Sequence, residues 1–138
     1  MRFMAIMKAN DRTEAGELPT EDELAAMGAF NEELVKAGVL LAGEGLQASS
    51  KGSRVSFSGG RPSVLDGPFA ETKELIAGFW LLQANSKDEV VEWMKRCPND
   101  DDTVIEIRQV FEAEDFGDAL TPELREHEER LRARSAQS

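Results

Sequence analysis

Short apolar runs alternate along the chain with stretches whose apolar residues recur at helical spacing, and this pattern alone predicts the elements. Residues 2–8 carry Phe3, Ala5 and Met7 on one alternating set and Met4 and Ile6 on the other. A strand covered on both faces is expected there. Pro19 and "TEDE" follow, with Thr20 and Glu23 in capping-box spacing ahead of Leu24, Met27, Phe30 and Leu34. This predicts a helix over about 20–37, stopped by Gly38. "VLLAGEGL" (39–46) reads as a second strand loosened by Gly43 and Gly45. "SRVSFS" (53–58), before the turn signal "GGRP", reads as a hairpin arm returning through Ser63 to Leu65. "IAGFWLLQA" (76–84) predicts a buried strand, and "SKDE" (86–89) repeats the capping pattern ahead of Val90, Val91 and Met94, in a helix ending at Pro98. In "TVIEIRQVF" (103–111), Ile105, Ile107 and Phe111 alternate with Glu106 and Arg108, the mark of a half-buried strand.

The order strand, helix, strand, added hairpin, strand, helix, strand is the split βαβ pattern of an α+β, ferredoxin-like βαββαβ sandwich. Both helices of such a fold cover one sheet face. Strands one and three are apolar on both sides, so the bare face predicts a homodimer packed sheet to sheet, a dimeric α/β barrel. The chain of 138 residues suits one domain, expected over 1–112. Residues 113–138 form an extension in which Thr121 as N-cap and Pro122 at the first helical position announce a short helix. With only Leu120, Leu124 and Leu131 large and apolar, that helix is expected to dock weakly on the body or on the partner chain.

Charge and rare residues narrow the chemistry. A net charge of −11 repels phosphate backbones, so direct nucleic-acid binding is not expected. No apolar run approaches the roughly 20 residues of a membrane span, and "MRFMAIMKAN" lacks the apolar core and cleavage site of a signal peptide. A cytoplasmic protein without membrane contact is the expectation. The single cysteine, Cys97, reads as a buried thiol. The single histidine, His127, falls in the charged tail, and the chain has no tyrosine, which disfavours Ser-His-Asp chemistry and a His-metal site. "NDDD" (99–102) lacks the spacing of a calcium loop and reads as a solvated turn. No cofactor is implied.

Three groups are candidates for chemistry. Glu106 and Arg108 fall on the face that the helices leave bare, where they read either as orienting groups for a small polar ligand or as an ion pair. Glu44 lies between two glycines and reads either as a cleft carboxylate or as a solvated residue of a bulged strand. In "DGPFAETKE" (66–74), Asp66, Gly67 and Pro68 make a turn, and Phe69 is the expected core anchor. The turn does not account for the acid, hydroxyl, base and acid that follow. Lys73 is a candidate to bind a carboxylate, and Asp66 or Glu71 to exchange a proton; solvated charges on a turn are the alternative.

The segments "AGVLLAGEGL" (37–46), "DGPFAETKE" (66–74), "GFWLL" (78–82) and "IEIRQV" (105–110) resemble the YCII-related family, specifically its DGPF branch. The resemblance covers about residues 1–112 and implies a dimeric ferredoxin-like α/β barrel. It implies little about activity. The His and Asp presumed catalytic in the better-known YCII-like branch have no counterpart: the first helix holds no His, and Pro98 is preceded by Cys97. Two functions remain open. One is a lyase or isomerase moving a proton on a small organic acid, carried by Asp66, Glu71, Glu44 and Arg108. The other is a non-catalytic dimeric binding or regulatory module, linked in some members of the branch to extracytoplasmic-function sigma factors.

Overall fold

The computed structural model describes residues 1–136. Its elements are β1 (Arg2–Lys8), α1 (Asp11–Glu14), α2 (Glu21–Lys36), β2 (Leu40–Gly45), β3 (Ser53–Ser58), β4 (Arg61–Asp66), β5 (Ile76–Gln83), α3 (Lys87–Met94), β6 (Ile105–Gln109) and α4 (Pro122–Ala136). Four strands make one antiparallel sheet in the order β2-β5-β1-β6, and β3 and β4 pair only with each other. This is the ferredoxin-like α+β sandwich with an inserted hairpin.

The helices begin where the sequence supplies caps. The Thr20 hydroxyl accepts from the Glu23 amide at 3.1 Å, and the Glu23 carboxylate accepts from the Thr20 amide at 3.2 Å. Gly38 then takes φ +72°, a left-handed conformation that ends α2. In α3 the Ser86 hydroxyl accepts from the Glu89 amide at 3.2 Å, but the Glu89 carboxylate reaches past the cap to the Asn85 amide at 3.0 Å.

Phe3 and Ala5 of β1 and Trp80 and Leu82 of β5 meet Phe30 and Leu34 of α2 and Val90 and Met94 of α3, with Cys97 closing the cluster. Full burial of Phe3, Leu34, Leu82 and Val90 contributes about 1.5–3 kcal/mol each. The Phe30 and Trp80 rings meet edge to face at 6.1 Å, and the indole Nε1 donates to the Asn31 side-chain oxygen at 2.9 Å. Gly43 faces Trp80 across the strand pair, where a Cβ would stand 3.2 Å from the indole.

On the opposite sheet face, Met4 pairs with Leu81 and Arg108, and Ile6 with Phe79 and Glu106. The four apolar residues there are only half-buried. Among the described residues no helix is long and apolar enough to cross a membrane.

Four local features differ from the sequence pattern. A one-turn helix, α1, follows β1, capped by Asn10 and Thr13 in reciprocal hydrogen bonds of 3.0 and 2.9 Å. The second main helix ends at Met94 rather than Pro98. The last strand ends at Gln109, so Phe111 leaves the sheet and stacks on Phe116 at 4.9 Å. Phe69 does not anchor in the core; its ring lies 3.9 Å beneath the Arg54 guanidinium. Beyond these, α4 buries no residue, and Arg125 ties it to Glu114 at 3.2 Å.

Candidate functional site

The site is built from the turn "DGPF" outward. The Gly67 amide donates to the Gly52 carbonyl at 3.0 Å, the Gly67–Pro68 peptide is cis, and the Phe69 amide donates to the Ser49 hydroxyl at 3.1 Å. Ser49 in turn donates to the Glu14 carboxylate, from its hydroxyl at 2.6 Å and from its amide at 3.1 Å. Glu14 stands on α1, so three segments distant in sequence are fixed to one another through a single serine. Gly67 sits so close to residues 49–50 that a Cβ would overlap the Ser49 carbonyl. The glycine is therefore set by close backbone approach.

This anchoring presents the 3₁₀ turn Thr72–Glu74 to the end of the sheet. There the Ala9 amide donates to the Leu75 carbonyl, and the Lys8 amide to the Val104 carbonyl, both at 2.9 Å. Between them opens a cavity of about 840 Å³, bounded by Lys8, Asn10 and Asp11, by residues 71–74, and by Asp102 and Val104. Its volume suits a small-molecule ligand. Inside it the Glu71 carboxyl is held above the ordinary carboxylate range, first by its hydrogen bond with Glu74, then by the charge of that neighbour and by desolvation; the Arg54 cation opposes this. A second carboxylate this near makes it harder for Glu71 to ionise. Lys8 and Lys73 supply positive charge on the same walls.

Of the residues singled out from the sequence, Glu71 and Lys73 come together in this cavity. Glu106 is linked to it, with its carboxylate 3.8 Å from the Lys8 ammonium and 3.4 Å from the Arg108 guanidinium. Arg108 itself stays largely exposed on the bare sheet face. Glu44 lines a separate recess of about 200 Å³ with Asn31 and Trp80. Asp66 lies at the base of the hairpin, where it accepts from the Ser53 hydroxyl at 2.7 Å. Lys8, Asn10, Asp11 and Asp102 were not marked by the sequence. The one available signal was that Lys8 closes a strand that is apolar over residues 3–7. Among the described residues no cluster of three or more His, Cys, Asp or Glu is placed to hold a metal ion. Burial pushes the Cys97 thiol up to about 11, which makes it a poor nucleophile.

Comparison with known proteins adds family and distance. A family model, the YCII-related domain, matches residues 1–114. An uncharacterized protein of Rhizobium meliloti (strain 1021) is 31% identical over 98 residues, which span 69% of this chain and 79% of that protein. Among solved structures, a 5-chloro-2-hydroxyhydroquinone dehydrochlorinase from Burkholderia phenoliruptrix AC1100, in complex with 2,5-dihydroxybenzoquinone, aligns over 83% of this chain and 98% of its own, at 18% identity and a TM-score of 0.42. No residue role carries across a likeness that distant.

Proposed function

The chain belongs to the YCII-related family, and from that premise we propose that it binds a small carboxylate-bearing metabolite in the cavity at the end of β1 and moves a proton on it. The motif "DGPFAETKE" supports placement in the DGPF branch. The observation that carries the reading is the Glu71–Glu74 carboxyl pair, beside Lys8 and Lys73, on the wall of the cavity of about 840 Å³. The lysines hold the ligand carboxylate. The ionised member of the pair takes a proton from the carbon next to a carbonyl or carboxyl group, the electron pair shifts into the conjugated oxygen, and the protonated member returns a proton at a second carbon. Such a shift is an isomerisation; expulsion of a leaving group from the same anion makes it a lyase reaction. The half-buried Met4, Ile6, Phe79 and Leu81 on the bare face support a homodimer packed sheet to sheet.

A thermal-shift screen of small organic acids tests binding, since a ligand present at about 100 times its Kd stabilises the native state by roughly 2.7 kcal/mol. Lys8→Met and Lys73→Met should each lose the shift. In deuterated buffer, the ligand found should exchange a carbon-bound proton, followed by NMR, and Glu71→Gln should stop that exchange while binding persists. A binder that exchanges no faster than in buffer alone removes the catalytic half of the proposal, and binding indifferent to both lysines removes the site.

A further inference from the structure

The cavity of about 840 Å³ has a neighbour. A recess of about 270 Å³, lined among others by Leu46, Phe69, Leu75, Ile76 and Arg54, shares Glu74 with it as a common wall. Glu74 is exposed, so one extended ligand can lie across it with an end in each hollow. Arg54, in β3, is the group of this recess that the protein leaves unused. Its guanidinium carbon stands 3.9 Å from the centre of the Phe69 ring. Among the described residues none takes a hydrogen bond or a close ion pair from it, whereas Arg2, Arg12, Arg96, Arg108 and Arg125 all pair with acids. The acids that line the same recess are engaged elsewhere: Glu14 accepts two hydrogen bonds from Ser49, and Glu74 shares one with Glu71.

An exposed arginine without such surroundings is a solvated side chain; this one is backed by an aromatic ring and borders an apolar hollow. A guanidinium fork takes a carboxylate through two parallel N–H bonds, and an apolar lining suits the methylene span that joins one carboxylate to another. We propose that the ligand is a dicarboxylate, with one carboxylate held by Lys8 and Lys73 in the cavity, the other held by Arg54 across Glu74, and its apolar middle against Leu46, Leu75 and Ile76. The inference rests on the cavity reading and adds the substrate class to it: Arg54 is the residue that selects two charges over one. A ligand held at both ends lies over the Glu71–Glu74 pair, which sets its central carbons beside the carboxyls that exchange the proton.

Calorimetric titration of the full chain with the straight-chain diacids from succinic to suberic acid, each beside its own monoamide, tests this without altering the protein. At the chain length that spans Glu74, the diacid should bind at least about tenfold tighter than its monoamide. Arg54→Gln should erase that ratio, and Arg54→Lys, which keeps the charge without the planar fork, should restore part of it. Diacid and monoamide bound alike at every length overturn the inference; if Lys8→Met and Lys73→Met still abolish both, the cavity reading stands. A preference for the diacid that survives Arg54→Gln places the second carboxylate elsewhere and overturns the role of Arg54. Affinities indifferent to both lysines overturn the cavity reading and this inference with it. No binding by any member of either series also overturns the inference, and the wider screen of organic acids then decides the cavity by itself.

Discussion

Gly67→Ala should be among the most damaging single-methyl changes in this chain. The added Cβ would stand 2.6 Å from the Ser49 carbonyl carbon and 3.3 Å from the Ser50 nitrogen, and would overlap the Ser49 oxygen. All three atoms are backbone, so no side chain can swing away. Gly67 is not among the glycines with positive φ, so the cost is steric rather than conformational. To relieve the overlap, residues 66–69 and 49–51 must part by on the order of 1 Å, which breaks the Gly67–Gly52 bond and the Phe69–Ser49 bond. Two such bonds contribute about 0.5–1.5 kcal/mol each, and residual strain adds about 1–3. Lower entropy of the unfolded alanine chain offsets roughly 0.4–1. A loss of about 1–5 kcal/mol, centred near 3, results, read as a lower urea midpoint at unchanged slope. Ser49→Ala removes the hydroxyl bonds but keeps the carbonyl, so it should not rescue Gly67→Ala, and the double variant should cost less than the sum of the singles. A loss under about 1 kcal/mol for Gly67→Ala, or singles that add within about 0.5, refutes the coupling of these turns.

Cys97, buried and with its thiol pushed up to about 11, should label with a thiol reagent at neutral pH only as fast as the chain unfolds; rapid labelling of the native state contradicts its placement. Proton exchange on the ligand should fall as pH rises and the Glu71 carboxyl loses its proton. Since Glu71 is raised, the falling limb should lie above the ordinary carboxylate range, and a profile with no falling limb there excludes the pair. Glu23 is lowered, first by the Thr20 amide and then by Arg12, so its contribution to stability is present above the unfolded value and is lost as pH falls through the folded one; Glu23→Gln should flatten the stability curve below about pH 5. Truncation before Asp118 should cost at most about 2–4 kcal/mol, the scale of a few half-exposed leucines, since α4 buries no residue; failure of the shortened chain to fold makes the tail part of the core.

The sheet and the long helix were legible because their signals are local. Short apolar runs marked β1 and β5, alternation marked β6, and the Thr20–Glu23 box marked the start of α2. The features that escaped depend on contacts between distant segments or on lengths too short to show a period. Four residues make α1, fewer than two helical turns can display. Phe111 continues the alternation of Ile105 and Ile107 in sequence, but the strand stops two residues earlier and an aromatic partner in the tail takes the ring. The same limit applies to the site. Glu71 and Lys73 were visible as an unexplained charge group, whereas Lys8 and Asp102 reach them only because β6 pairs with β1 and the loop before β6 returns to its end.

The "DGPFAETKE" segment divides into two halves with different work, and the division explains why a single short motif holds both a turn and a charge cluster. The first half has its polar bonds committed: Asp66 to Ser53, Gly67 to Gly52, and Phe69 through Ser49 to Glu14. The second half sends Glu71, Lys73 and Glu74 to the cavity wall. A Glu71 carboxyl raised by contact with Glu74 is unfavourable for a free turn, which would separate the two groups at the cost of one rotation. Here the chain on either side is held, by Ser49 before the pair and by the Ala9–Leu75 bond after it. Anchoring on both flanks keeps the carboxyls together, and the raised Glu71 carboxyl follows from that constraint. Loosening either flank should therefore lower the Glu71 carboxyl toward its ordinary range without touching the carboxyls themselves, so Ser49→Ala should move the falling limb of the exchange profile to lower pH. An unmoved limb in Ser49→Ala separates the two halves and leaves the turn with a purely structural role.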